Sequence, residues 1–201
     1  YDLAPKNRQP SGVVVFCHGT PWSAAVWAPV ARILSARRRV LLWDMPGYGS
    51  SSMTPAAPVD LPAQWRRLRL LIESLAPEGA ALVAHDIGGA VALGAHLMED
   101  LDVAGIFLLD AVTLDPWGAP FFTLVREHVE VFGALPADLH RALVTAYIRG
   151  AAGHDLGDEV VDVLVAPWAT PVGQRAFYRQ IAQLRTEDTA PIVDRLGAMR
   201  C

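Results

Sequence analysis

Serine runs out early in this chain of 201 residues: all seven serines lie at or before Ser74. Chemistry centred on the later two-thirds therefore has to use a different nucleophile. Lysine is scarcer still, with Lys6 alone beside sixteen arginines. The formal net charge of −4, with no basic stripe, argues against nucleic acid as a partner. No run approaches the ~20 apolar residues of a membrane span, and no charged-then-apolar signal segment opens the chain. Cysteine is limited to Cys17, inside an apolar run, and Cys201 at the last position. Neither suggests a disulfide framework or a metal site, so a reducing cytoplasm is the expected compartment. What the chain does have is apolar residues, 52% of the total, enough to build a sizeable core.

Those residues come in short buried runs alternating with helical patterns. "GVVVFCHG" (12–19), "RVLLWD" (39–44), "AALVA" (80–84) and "VAGIFLLD" (103–110) read as four strands. Between them, 22–36, 61–75 and 87–98 carry helical spacing, with Trp65, Leu68 or Leu71, and Leu75 on one face of the second. Strand and helix alternating in this way predict βαβ units and a parallel sheet, an α/β fold. After residue 116 the pattern changes, and only helical stretches follow, over 119–132, 137–149, 157–166, 172–184 and 188–199. The expected organisation is an α/β core over 1–116 and a helical domain over 117–201. Arg37–Arg39 suit a helix C-terminus, and Arg66, Arg67 and Arg69 suit a solvated helix face.

The stretch "ALVAHDIGGAVALGAH" (81–96) sets Asp86 on the turn from the third strand into a helix. Small residues at Ala84 and Gly88 fit a strained strand-to-helix turn that lifts the middle side chain above the sheet's C-terminal edge. Asp is also a preferred helix N-cap, so this motif alone leaves nucleophile and cap equally open. "HGTPWSAAVW" (18–27) leaves the first strand through a glycine turn able to aim the Thr20 amide at the same edge. With the Ile87 amide it offers two donors for a developing oxyanion.

Together with "WDMPGYGSS" (43–51), these motifs make the chain resemble the α/β-hydrolase family across nearly its whole length. The resemblance implies a mostly parallel sheet flanked by helices and roofed by a helical cap. It also implies two further strands before the first residue and two after the last, as though both ends were cut. A carboxylate at the elbow attacks esters poorly, because the resulting anhydride is too reactive, but it displaces leaving groups from saturated carbon well. Family members with this nucleophile resemble epoxide hydrolases and haloalkane dehalogenases, neither of which needs a cofactor or metal. The expected substrate is a small apolar molecule.

Asp110, ending the fourth strand, is either the acid that orients a catalytic histidine or a turn cap. The family places its histidine after the last strand, so none of His18, His85, His96, His128, His140 and His154 is expected to be the base. Epoxide hydrolases polarise the ring oxygen with cap tyrosines, and "RAFYRQ" (175–180) resembles their late-cap motif, with Tyr178 in the activating place and Tyr147 as the other cap tyrosine. Packing is the alternative role for Tyr178. Dehalogenases usually hold halide with a Trp after the nucleophile and often an Asn in the HG-x-P turn, where this chain has Ile87 and Thr20. Trp22, Trp27, Phe121, Phe122 and Trp168 are candidate pocket walls. The expected function is epoxide hydrolase-like; the alternatives are a dehalogenase-like hydrolase and a non-catalytic ligand binder. The edge of the fourth strand is expected to be exposed, favouring pairing with another chain, such as a homodimer.

Overall fold

In the computed structural model, residues 1–5 and 11–199 are described; Lys6 and Cys201 lie outside the described residues. Among the described residues the sheet has five strands, β1 (Asp2–Leu3), β2 (Val13–Cys17), β3 (Arg39–Leu42), β4 (Ala81–Asp86) and β5 (Gly105–Ala111), in the order β1-β3-β2-β4-β5. All neighbours are parallel except β1, which runs antiparallel to β3. Four strands were expected, and β1 is the addition. Its two residues are too few to carry a hydrophobic period, and it is fixed by pairing with β3 and by the Asp2–Arg39 ion pair at 2.6 Å.

The helices covering the sheet follow from their sequences. In α2 (Leu61–Leu75), the Asp60 carboxylate accepts the Ala63 amide at 2.8 Å as N-cap. Its buried face runs through Leu61, Trp65, Leu68 and Ile72; Leu75, expected on that face, is exposed, because Ile72 takes its place one turn earlier. Helix α3 (Ile87–Met98) is buried on every side from Ile87 to Ala95. It packs against α2 so closely that a Cβ on Gly94 would lie 2.2 Å from the Trp65 indole. The helix expected over 22–36 starts late: Ala24–Trp27 is a 3-10 turn, and α1 covers Ala28–Leu34, with Pro29 in its first turn where no amide is needed.

Beyond β5, helices α4 (Pro120–Glu127), α5 (Val129–Gly133), α6 (Ala137–Gly150), α7 (Asp158–Val165), α8 (Pro171–Gln183) and α9 (Ala190–Arg195) follow. The single helix expected over 119–132 is broken at His128, whose backbone leaves the helical region. The chain divides into two compact units. A sheet unit comprises Tyr1–Met45, Asp60–Trp117 and Arg185–Cys201, and a helical unit comprises Pro46–Val59 and Gly118–Leu184. This division differs from the expected boundaries in two places. Helix α9 belongs with the sheet, anchored by the Arg195 guanidinium to the Leu97 carbonyl at 2.6 Å and by the Trp117 indole to Thr189 at 2.9 Å. The segment Pro46–Val59 belongs with the helices. Strand β5 lies at the end of the sheet with Phe107, Leu108 and Leu109 exposed. No helix among the described residues is long and apolar enough to cross a membrane.

Gly94→Val places branched carbon where the Trp65 indole sits, and overpacking of this kind costs about 2–3 kcal/mol. Urea unfolding should show that loss; an unchanged midpoint would mean the α2–α3 contact is looser than described.

Candidate active site

Strand β4 ends at Asp86 with φ +53 and ψ −127, outside the regions ordinary L-residues occupy. A helix N-cap has extended backbone and bonds the amides one turn in. Asp86 does neither, although it stands at the N-cap position of α3. Its Oδ1 instead accepts the Thr20 amide at 2.7 Å, and the carboxylate also accepts the amide of Ile87. Burial is the largest influence on this carboxyl and lifts its pKa above 3.8. The two amides oppose it, and the like charge of Asp110 adds to it.

Close approach explains the small residues around the elbow. A Cβ on Gly19 would lie 2.4 Å from the Asp86 Cβ, and one on Gly88 would lie 2.5 Å from the His18 carbonyl. The loop bearing Thr20 and the turn bearing Asp86 thus touch through positions that admit only glycine. Ala84 beneath them is fully buried.

The Thr20 loop is held from behind by His18. The Met45 amide donates to its Nε2 at 3.0 Å, so that nitrogen is bare and Nδ1 carries the proton, which it donates to the Gly19 carbonyl at 3.0 Å. Full burial of this neutral ring lowers its pKa to about 4. Asp44 accepts the Ala24 amide at 2.7 Å and fixes the far end of the same loop.

Asp110 also has a positive φ, +42. The ladder pairs His85 with Leu109 and Asp86 with Ala111, so Asp110 is the extra residue of a bulge. Bulges re-aim side chains at functional sites, and this one stands beside the elbow, where the Val112 amide donates to the Asp86 carbonyl at 3.0 Å. Neither the bulge nor the left-handed backbone is visible in "LLDAV", where only an acid at a strand end can be read.

Among the described residues, no imidazole hydrogen-bonds Asp86. His18 is committed through both nitrogens, and the Nδ1 of His96 bonds the Leu101 carbonyl at 2.8 Å. His85 packs edge-on to Trp27, while His128 and His154 are exposed in the helical unit. Trp22 is half-buried. Trp27, expected as a pocket wall, packs on Phe16 with ring centroids 4.9 Å apart, in the core cluster with Val14, Ala31 and Val40.

Within the helical unit, Tyr178 is buried between Phe132, Phe177 and His140. His140 faces the Trp168 carbonyl through Nε2 at 3.0 Å, and a carbonyl can only accept, so Nε2 carries the proton. Nδ1 is then an acceptor, and the Tyr178 hydroxyl, 2.9 Å away, donates to it. That proton is committed in this structure, which bears directly on the electrophilic role expected of Tyr178. His140 was legible only as one of several helical-unit histidines. Tyr147 lies in the aromatic cluster with Phe121, Phe122 and Phe177, and Trp168 is buried against Phe177 and Tyr48.

Residues 14–199 match the model of the alpha/beta hydrolase family, and the chain belongs to that family. The crystal structure of an alpha/beta hydrolase fold protein from Burkholderia ambifaria is 39% identical with a TM-score of 0.91, over 97% of this chain and 70% of that one. An epoxide hydrolase of Caballeronia sordidicola is 33% identical over 136 residues, 63% of this chain and 41% of that protein. A pimeloyl-[acyl-carrier protein] methyl ester esterase of Pseudoalteromonas atlantica is 30% identical over 95 residues, 47% of this chain and 35% of the esterase. The chain thus spans well under half the length of these two curated relatives.

The His18 clamp has a measurable pH signature. Unfolded histidine takes up its proton near 6.5, whereas the folded ring resists down to about 4. Folding therefore expels a proton between these values. Stability, fully present above about 6.5, should fall toward pH 4 by up to ~1.4 kcal/mol per unit from this group. Urea unfolding across this range should show the slope, and His18→Gln should remove its share; an identical slope in both proteins would contradict the clamp.

Proposed function

We propose that the protein is a hydrolase using Asp86 as its nucleophile. The observation that supports this best is the strained Asp86 backbone, combined with a carboxylate held by the Thr20 and Ile87 amides instead of capping its helix. With Oδ1 held by the Thr20 amide, Oδ2 attacks a saturated carbon. The new C–O bond forms as the bond to the leaving group breaks, and the leaving group departs with the electron pair. The product is an alkyl ester of Asp86 whose carbonyl oxygen already accepts the Thr20 amide, and with the Ile87 amide also addressing this group the oxyanion formed when water attacks is stabilised. Asp110 is the acid that orients the water-activating base, a role none of the six histidines fills. Serine does not occupy the elbow, so the acyl transfer of a serine esterase is not available to this chain.

An epoxide is the favoured electrophile, in line with the similarity to the Caballeronia epoxide hydrolase and with Tyr178 as the expected proton donor to the ring oxygen. One observation favours a second reading, a carbon–halogen bond. A halide leaves without a proton, and the Tyr178 proton is already given to His140.

Intact mass after incubation with an aryl epoxide and, separately, a bromoalkane tests both. An adduct that maps to Asp86 and is lost in Asp86→Asn supports the nucleophile. A folded chain that neither reagent labels overturns it and leaves a ligand-binding role. Labelling requires the ionised carboxylate, and burial raises that pKa, so the rate should fall in acid with a midpoint above 3.8. Tyr178→Phe should slow epoxide labelling by about 10²-fold if the phenol is the acid and leave bromoalkane labelling unchanged. Equal rates in both proteins would favour the halide reading.

A further inference from the structure

Helix α8 carries three glutamines, and two of them are bonded. The Gln174 amide donates to the Gly133 and Leu135 carbonyls at 3.2 and 2.8 Å, and the Gln183 side-chain oxygen accepts the Val59 amide at 2.8 Å. Gln180 is the most deeply buried of the three, with no exposed surface. Among the described residues, neither its oxygen nor its nitrogen meets a partner. An unbonded buried carboxamide is costly and rare, and each case calls for a reason. Packing is not that reason, since methionine has the same length and no such cost. The residue before it is peculiar in the same way. Arg179 is half-buried and its Nε meets no partner. Its Nη2 donates to the Met53 carbonyl at 3.3 Å, longer than the roughly 2.7–3.2 Å usual for such bonds. Burial lowers its pKa, and no carboxylate among the described residues pairs with it. In the same unit, Arg141 pairs with Asp162, and Arg149 with Asp155 and Asp158, all at exposed positions. Pairing is thus present where water already solvates the charge and missing where it does not.

From these two observations we propose that Arg179 and Gln180 form a binding site of the helical unit for the carboxylate of a small organic monoanion. The inference stands apart from the reading of Asp86 as nucleophile. The edge of a guanidinium that carries Nε and Nη2 presents two N–H groups in one plane, at the spacing of carboxylate oxygens. Nη2 has two hydrogens, and the Met53 carbonyl uses one of them. The Gln180 nitrogen adds a donor, and its oxygen is an acceptor for any hydroxyl the ligand carries. One guanidinium supplies one charge, so a monoanion leaves a buried site neutral, whereas a phosphate dianion leaves it negative and poorly solvated. Arg179 keeps part of its surface in water and its bond to Met53 is long, so the guanidinium can turn to admit an anion.

The test titrates the whole chain with benzoate and follows the side-chain amide signal of Gln180 by NMR, with benzamide and chloride as comparisons. Benzoate should move that signal and saturate at millimolar concentration, and benzamide, which has the ring but no charge, should bind at least about tenfold more weakly. Arg179→Met should weaken benzoate by about tenfold or more, and Gln180→Met by about three- to tenfold. Gln180→Glu, which sets a like charge against the carboxylate, should abolish binding. Without benzoate, Gln180→Met should raise the urea midpoint, because it removes an unbonded amide at constant length. Should Arg179→Met fail to fold, Arg179→Lys keeps the charge but loses the planar edge and is read the same way. A Gln180 signal that benzoate never moves overturns the site, as does binding that both variants leave undiminished, which places benzoate elsewhere. A lower midpoint for Gln180→Met means that the carboxamide is bonded within the protein, and it too overturns the site. Chloride or benzamide binding as tightly as benzoate overturns the carboxylate assignment.

Discussion

The 2.7 Å hydrogen bond from the Thr20 amide to the Asp86 carboxylate joins two turns 66 residues apart in the chain, and the local design of both serves that approach. It requires β2 and β4 to be neighbours, so that their C-terminal ends open at the same edge. It also requires that no side chain stand between the turns, which Gly19 and Gly88 provide. The positive φ of Asp86 costs on the order of 1–3 kcal/mol. That strain persists because β4 before it and α3 after it are both locked in the core. A rigid frame on either side of a strained residue is what allows the carboxylate to face its donors instead of relaxing into an ordinary cap.

The loop on the other side of that bond is fixed by a histidine that works by staying neutral. Because Met45 donates to one nitrogen and Gly19 accepts from the other, a single tautomer satisfies both. A second proton would turn the acceptor into a donor facing an amide, and burial makes that charge costly. The same logic recurs at His140, where a carbonyl dictates the tautomer and thereby the direction of a tyrosine hydroxyl. In both units a buried imidazole works as a fixed donor–acceptor pair.

How much of this could be read from residues depends on the range of the interaction. The limits of α2, Leu61–Leu75, were legible because its Asp60 cap and its apolar period are local, and those of α3, Ile87–Met98, because the elbow sets its start. The elbow and the glycine turn were legible as motifs, since close approach forbids side chains at fixed offsets. Strand β1 was not, because two residues hold no pattern. The bulge at Asp110 was not, because it is defined by the register of β5 against β4. The membership of Pro46–Val59 was hidden for the same reason: its anchors, Gln183 and Arg179, lie 124 and 126 residues from Val59 and Met53. Helix α9 was recognised as an element but expected with the helical domain, since helical spacing shows that one face is buried and not against what.

The electrostatics of Asp86 connect this architecture to reactivity. A carboxylate fully solvated by water is a weak nucleophile, because its charge is spread into a hydration shell that attack must disturb. One held by many donors is weaker still. Here burial and the neighbouring charge of Asp110 raise the energy of the anion, and two amides recover only part of it. Both donors address the carboxylate from main chain that is already fixed, so they need no reorganisation as charge moves. Its pKa is raised above 3.8 by that burial, so the anion is less stabilised than in water. On the proposed reading of Asp86 as nucleophile, the glycines, the bulge and the clamped loop all act on one balance, a carboxylate short of solvation yet held in register.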